Sequence, residues 1–143
     1  MCLYWDFWWD FLKEILGTLS IVTVGMIGVA GALGAGARYL LGRFVAIRVG
    51  SQFPFGTLLI NVTGAFLIGL LFALAGRQVI SSAIQVTLST GFLGGYTTFS
   101  TMSWEGMQLA RGGSTRLSFL YLAGSLLLGL IAATCGLALG GGL

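Results

Sequence analysis

The sequence predicts an all-α integral membrane protein with four transmembrane helices, the third of them broken at mid-membrane. Of the 143 residues, 57% are hydrophobic and only 8% are charged, whereas soluble domains carry about 25% charged residues. Uncharged runs that reach the roughly 20 apolar residues needed for a spanning helix recur along the chain. The basic residues lie at the edges of these runs rather than in one patch, so nothing in the sequence indicates nucleic-acid binding.

The first residues differ from the rest of the chain. Residues 1–16 place tryptophans and leucines at spacings of three and four, with charged side chains mostly on the opposite face. This pattern predicts an amphipathic helix at the membrane interface over residues 1–18. Its acidic residues argue against a cleaved signal peptide. Met26 opens a self-sufficient membrane segment, so residues 1–25 are open to interpretation as an extension that is dispensable for function.

The remaining chain, residues 19–143, is predicted to form four spans at about 19–46, 56–76, 79–110 and 117–139. In the first span Gly28, Ala32 and Gly36 recur every four residues and offer a face of small residues to another helix. Arg38 follows this face. Its guanidinium either extends to the lipid headgroups or fills an aqueous vestibule.

Polar residues recur at helical spacing in the second and fourth spans. Thr57 and Asn61 lie four residues apart, as do Tyr121 and Ser125, so each pair shares one helix face. The Asn61 side chain can make up to four hydrogen bonds. It either joins two helices through these bonds or turns its donors toward a pore.

The third span contains the densest set of hydroxyl groups. Gly94 and Gly95 precede the run YTTFST, a composition that disfavours a continuous helix and predicts a break. Unpaired backbone groups cost several kcal/mol each in hydrocarbon, so a break persists only inside protein, beside water or around an ion. Glu105 shares a stripe with Thr98 and Thr101. The alternative is that the glycines serve helix packing and each hydroxyl bonds to its own helix.

The available side chains exclude several kinds of chemistry. The chain has no histidine and no acid pair beside a nucleophile, so we expect no enzyme. Cation channels usually carry rings of acids, and Glu105 is the only acid outside the N-terminal segment. Cys2 and Cys135 form no metal or disulfide motif. Hydroxyls, an amide and the positive ring edge of Phe99 favour a path for an anion.

Four segments carry a resemblance to a known family: GALGAGARYLLGR, PFGTLLINVTGAFLIG, TGFLGGYTTFSTMSWE and YLAGS. They resemble the Fluc (CrcB) fluoride channels from about Met26 to the end of the chain. The specific part is the GGxTTFS core together with the GTLxxN element. The resemblance implies an antiparallel, dual-topology homodimer in the cell membrane, with two pores and a central structural sodium ion. Such a protein would export toxic cytoplasmic fluoride by passive conduction.

The resemblance also implies roles for individual residues. For the fluoride pore these are Arg38, Thr57, Asn61, Thr98, Phe99, Met102, Glu105, Tyr121 and Ser125. The sodium ion would be bound by the backbone carbonyls of Gly94 and Thr97. Two positions depart from the family pattern. Met102 stands where a second phenylalanine is usual, and its thioether has a different polarity from a ring edge. Gly129 replaces a frequent hydroxyl, which would shorten the polar track.

The distribution of positive charge leaves the partner open. The loops after the first and third spans carry four arginines, against Lys13 and Arg77 on the other side. This asymmetry predicts a bias toward one orientation, whereas an antiparallel homodimer needs nearly equal insertion both ways. A heterodimer with an oppositely oriented paralogue is therefore the alternative to a homodimer.

Two other functional classes are alternatives. A small multidrug exporter also has four short spans, but it depends on an acid embedded in the first span, and residues 15–37 contain none. A non-transporting membrane assembly protein would explain the glycines, but it leaves Asn61 and the broken third span without a purpose.

Overall fold

The computed structural model describes residues 21–50 and 53–142, and this part of the chain is helical throughout, apart from its connections and one break. Three of the described helices, α1 (Ile21–Val49), α2 (Phe55–Gly76) and α6 (Thr115–Gly142), are each long and apolar enough to cross a membrane. Between α2 and α6 a shorter, bent series of helices forms the third span. The predicted interfacial helix of residues 1–18 lies outside the described residues. The elements are α1 (Ile21–Val49), α2 (Phe55–Gly76), α3 (Ser82–Val86), a π-helical segment (Thr87–Leu93), α4 (Gly94–Tyr96), α5 (Phe99–Arg111) and α6 (Thr115–Gly142).

The helix ends follow local chemistry. Pro54 immediately precedes α2, where its missing N–H costs no helical hydrogen bond. Gly50 follows α1 with φ +86°, and Gly113 follows α5 with φ +83°. This left-handed conformation is the usual way to end a helix, and glycine adopts it without steric cost. The long helices α1, α2 and α6 correspond to the first, second and fourth predicted spans, and the bent third span runs from Ser82 to Arg111.

Two parallel helix pairs build the subunit, and glycines set their close approach. In the pair of α2 and α6, a Cβ atom added at Gly69 would overlap the carbonyl of Ala133. In the pair of α1 and the third span, a Cβ at Gly34 would overlap the carbonyl of Phe92. Backbones that approach this closely gain the dispersion contacts that hold helices together in lipid, where the hydrophobic effect between helices is absent.

The face of α1 that packs within the subunit is not the face of Gly28, Ala32 and Gly36. A Cβ atom added at Gly28 or Gly36 would meet no atom within 4 Å. The close contacts of α1 fall instead at Gly31 and Gly34, which lie on another side of the helix. Both sides carry small residues at helical spacing, and periodicity alone does not tell which one faces the subunit's own helices. The face of Gly28, Ala32 and Gly36 is left uncovered within the described chain.

The core of the subunit is small. Ile60, Leu93 and Tyr96 form its buried cluster, which joins α2 to the third span. Most long apolar side chains of α6, such as Leu126, Leu127 and Leu130, are exposed. Such exposure suits helices whose outer faces contact lipid tails rather than water.

Candidate functional site at the helix break

The break in the third span lies at Thr97 and Thr98. Helix α4 continues through Gly94 and Gly95 to Tyr96, and the next two residues are extended, with φ −78° and ψ 160° at Thr97 and φ −152° and ψ 121° at Thr98. The interruption therefore falls at the C-terminal edge of the predicted stretch. Gly95 has a packing role, since a Cβ atom there would overlap the carbonyl of Gly31 in α1.

Asn61 of α2 binds the backbone of the break at two points. Its Nδ2 donates to the carbonyl of Thr98 at 2.9 Å, and its Oδ1 accepts the N–H of Thr98, also at 2.9 Å. In a continuous helix that N–H would bond to the carbonyl of Gly94, four residues earlier. Asn61 takes this donor, so the Gly94 carbonyl loses its helical partner.

The side chain of Thr98 likewise takes the helical hydrogen-bond donor away from the Thr97 carbonyl. Its Oγ1 accepts the N–H of Thr101 at 3.2 Å and so caps the N-terminus of α5. That N–H would otherwise bond to the carbonyl of Thr97. The Thr97 carbonyl instead accepts a hydrogen bond from Nη1 of Arg38 at 3.3 Å. Arg38 lies inside α1 rather than at its end, and its guanidinium is directed at the break.

A carboxylate and two hydroxyls join three helices one turn away from the break. Thr57 of α2 donates to Oε1 of Glu105 at 2.9 Å, and Tyr121 of α6 donates to Oε2 at 2.7 Å. Thr57 and Tyr121 are buried, and the ring of Phe53 meets that of Tyr121 edge-on at a centroid distance of 5.6 Å. We refer to Thr57, Glu105 and Tyr121 as the carboxylate cluster. Through these two hydrogen bonds, Thr57 and Tyr121 bring one face each of α2 and α6 against the third span.

Two open spaces lie near the carboxylate cluster. A groove of about 530 Å³ opens beside the break, and a cavity of about 450 Å³ opens beside Glu105. Thr57 and Glu105 line the cavity. One turn along each helix from the cluster, Asn61 and Ser125 line the groove. The other predicted site residues that line the groove are Gly94, Thr97, Thr98, Phe99 and Met102.

Phe99 and Met102 form the outer wall of the groove. The Phe99 side chain is 77% exposed, and Met102 is partly buried one turn further along α5. Ser125 also lines the groove, but its Oγ donates to the carbonyl of Tyr121 in its own helix at 2.6 Å. Its lone pairs therefore face the groove more readily than its proton does.

Comparison with known proteins identifies the family. Residues 25–137 match the family described as CrcB-like protein, Camphor Resistance (CrcB). The chain belongs to this family. It is 44% identical over 115 residues to the fluoride-specific ion channel FluC of Acidobacterium capsulatum, a match that covers 80% of this chain and 92% of that protein. It is 43% identical over 118 residues to a FluC of Thermus thermophilus, covering 82% and 93% of the two chains. For FluC of Agrobacterium fabrum the identity is 40% over 121 residues, covering 84% and 97%.

Membership in the CrcB family bears on two predictions. The names of these relatives describe ion channels, which confirms that the chain is not an enzyme. Together with the three long apolar helices, they establish a multi-pass membrane protein.

Several residues that line the groove and the cavity were not among the predicted site residues. Ser89, in the π-helical segment, lines the groove, while Trp104 and Gln108 line the cavity. Gln108 lies three residues after Glu105, on the same helix face, and this spacing was a usable signal. No sequence signal pointed to Ser89, because the π-helical geometry of its segment has no mark in the local composition.

Proposed function

We propose that this CrcB protein is a fluoride-selective channel that exports cytoplasmic fluoride by passive conduction. The proposal rests on the relatives named fluoride-specific ion channels and on one feature of the site. Hydrogen-bonding side chains extend from the cavity, through the carboxylate cluster, to the groove at the break. This route contains one carboxylate, whose two oxygens both accept hydrogen bonds, and its other polar side chains are hydroxyls, the amides of Asn61 and Gln108 and the indole of Trp104.

Fluoride is small and strongly hydrated, so a pore must replace its water with other donors. The hydroxyls of Thr57 and Tyr121 now donate to Glu105, and a hydroxyl can rotate to a new acceptor. We infer that these two protons turn from the carboxylate to the passing anion and back. In the groove, the ring edge of Phe99 offers positive potential. The N-terminal end of α5 adds the positive end of a helix dipole on the same side.

The backbone carbonyls of Gly94 and Thr97 fit the sodium ion that the family resemblance implies. Both have lost their helical donors, to Asn61 and to the Thr98 hydroxyl respectively. Carbonyl oxygens at the end of a half-helix are common sodium ligands in membrane proteins. A carbonyl has two lone pairs, so the long contact of Arg38 with Thr97 leaves one for a cation. Bound there, sodium would supply a fixed positive charge at the break.

The proposed assembly is an antiparallel homodimer with two pores, in the cell membrane. Two uncovered surfaces support it: the small-residue face of α1 and the groove whose outer wall carries the exposed Phe99. A second copy lying on these surfaces would enclose the groove. The excess of arginines at one end of the subunit makes a heterodimer with an oppositely oriented paralogue the competing arrangement.

Growth of bacteria that lack their own fluoride exporters tests the proposed function. We expect the wild-type protein to restore growth on millimolar fluoride, and Asn61→Leu, matched for membrane abundance, to fail. Thr134→Val is the control, because Thr134 is exposed and bonds only to its own helix, on the far side of α6 from the cluster. Wild-type protein that is inserted but gives no fluoride resistance would contradict the proposal. Resistance to toxic cations in place of fluoride resistance would indicate a small multidrug exporter rather than a fluoride channel.

A further inference from the structure

Asn61 makes both of its described hydrogen bonds to the backbone of a single residue, Thr98. We propose that Asn61 is a positioning residue for a monovalent cation site. By accepting the Thr98 N–H, it keeps that donor away from the Gly94 carbonyl and leaves the carbonyl to a cation. The inference deepens the proposed function and rests on the sodium ion included there.

The argument follows the two hydrogen-bond donors that leave the helix at the break. The N–H of Thr101 is taken by the Thr98 side chain, within the third span itself. The N–H of Thr98 has no such local acceptor and depends on Asn61, which is supplied by α2. A backbone N–H inside a membrane protein needs an acceptor. Without Asn61, the acceptor that a continuous helix provides for this N–H is the Gly94 carbonyl, and bonding to it would close the break.

The two atoms of the Asn61 amide then have separable roles. Its Oδ1 frees the Gly94 carbonyl, whereas its Nδ2 only satisfies the carbonyl of Thr98. Asn61→Asp preserves the acceptor and the size of the side chain. Asn61→Leu preserves the size but removes the acceptor. The acceptor hypothesis therefore predicts opposite results for these two variants.

Thr57 offers a matched control. It lies one turn before Asn61 on the same face of α2 and makes a single described side-chain hydrogen bond, to Glu105 rather than to the break. Thr57→Val should therefore reduce fluoride passage without altering the cation site. Asn61→Leu should alter both.

The test is the sodium dependence of thermal unfolding of the purified protein in detergent, with choline chloride replacing sodium chloride at constant ionic strength. A ligand that binds only the folded state raises the unfolding temperature with its concentration. We expect such a rise for wild type, Asn61→Asp and Thr57→Val. For Asn61→Leu we expect the rise to be lost, or its half-maximal sodium concentration to increase by at least about tenfold. Fluoride efflux from liposomes is measured on the same preparations.

Several results would overturn the inference. One is a sodium titration of Asn61→Leu that matches the titration of wild type, which would show that Asn61 acts in the anion path alone. Another is loss of the sodium effect in Asn61→Asp, and a third is wild-type protein that conducts fluoride without any sodium-specific rise. If Asn61→Leu does not fold, Asn61→Ala replaces it with the same expectation. Wild-type protein that binds sodium but passes no fluoride would refute the proposed channel and leave the role of Asn61 intact.

Discussion

Glu105 connects three helices through its two oxygens, each of which accepts one hydroxyl proton. Its stripe, and those of Thr57 and Tyr121, could be predicted from spacing, because residues four apart share a helix face. The pairing could not, since which hydroxyl meets which oxygen depends on how far each helix is shifted along its neighbour. The same limit applies to Asn61: its inward direction was predicted, but its two bonds to Thr98 depend on the exact position of the break.

Removing the Tyr121 hydroxyl tests the carboxylate cluster. We expect Tyr121→Phe to lower fluoride efflux by about tenfold or more, because one donor of the proposed path is lost. A hydrogen bond to a charged group also contributes about 1.5–3 kcal/mol of stability. Tyr96→Phe is the matched control, since Tyr96 is a buried tyrosine whose hydroxyl bonds to Thr63 outside the cluster. Equal efflux by the two variants would count against the path through the cluster.

Substitution of Phe99 tests whether fluoride passes through the groove. Replacement by isoleucine removes the ring edge but keeps an apolar side chain, and we expect fluoride efflux to fall by about tenfold or more while the proposed dimer still forms. Phe119→Ile is the control, because Phe119 is similarly exposed, at 70% against 77%, but lies outside the groove. Efflux and cross-linked dimer are measured on both variants. Full conduction by Phe99→Ile would show that Phe99 has no role in the pore.

Met102 is one of the two positions where the resemblance implies a departure from the family pattern. Its thioether is flexible and adapts to an irregular groove, while a phenylalanine would present a second ring edge beside Phe99. We expect Met102→Phe to retain selectivity for fluoride over chloride and to conduct at an unchanged or higher rate. Efflux rates for the two anions check this expectation. Loss of transport would show that methionine itself is required.

The broken third span shows what composition predicts at the scale of an element. Its hydroxyl-rich run correctly indicated an interruption. The two glycines suggested a position for it that is slightly early, because Gly95 serves the close approach to α1 and remains helical. The π-helical segment before the break could not be predicted, since it arises where Gly91 and Phe92 pack against the backbone of α1.

Substitution of Thr98, the N-cap residue of α5, tests whether the cap keeps the Thr97 carbonyl free at the break. We expect Thr98→Val to lower stability by about 1 kcal/mol through loss of the cap and to reduce fluoride efflux, because the N–H of Thr101 then becomes free to bond to Thr97. Thr98→Ser keeps a hydroxyl and should behave as wild type. Ser81→Ala is the control, since Ser81 also caps a helix, α3, but lies at the exposed start of the span. The Ser81→Ala variant should lose stability with no change in fluoride efflux. Unchanged efflux in Thr98→Val would refute a role for the cap in conduction.

For the molecule as a whole, the sequence predicted long apolar helices and a broken third span in their order along the chain, because the length of an apolar run marks a spanning helix directly. It did not distinguish the two small-residue faces of α1. Gly31 and Gly34 pack within the subunit, while the face of Gly28, Ala32 and Gly36 remains uncovered within the described chain. Periodicity marks a face that is able to pack closely, but the partner is decided by the other helices of the assembly.

Passive, selective conduction of fluoride is tested most directly in liposomes that contain only the purified protein. The measurement compares fluoride and chloride efflux under a potassium gradient clamped by valinomycin. We expect rapid release of fluoride while chloride is retained. No release of either ion from correctly inserted protein, or equal release of both, would contradict a fluoride-selective channel.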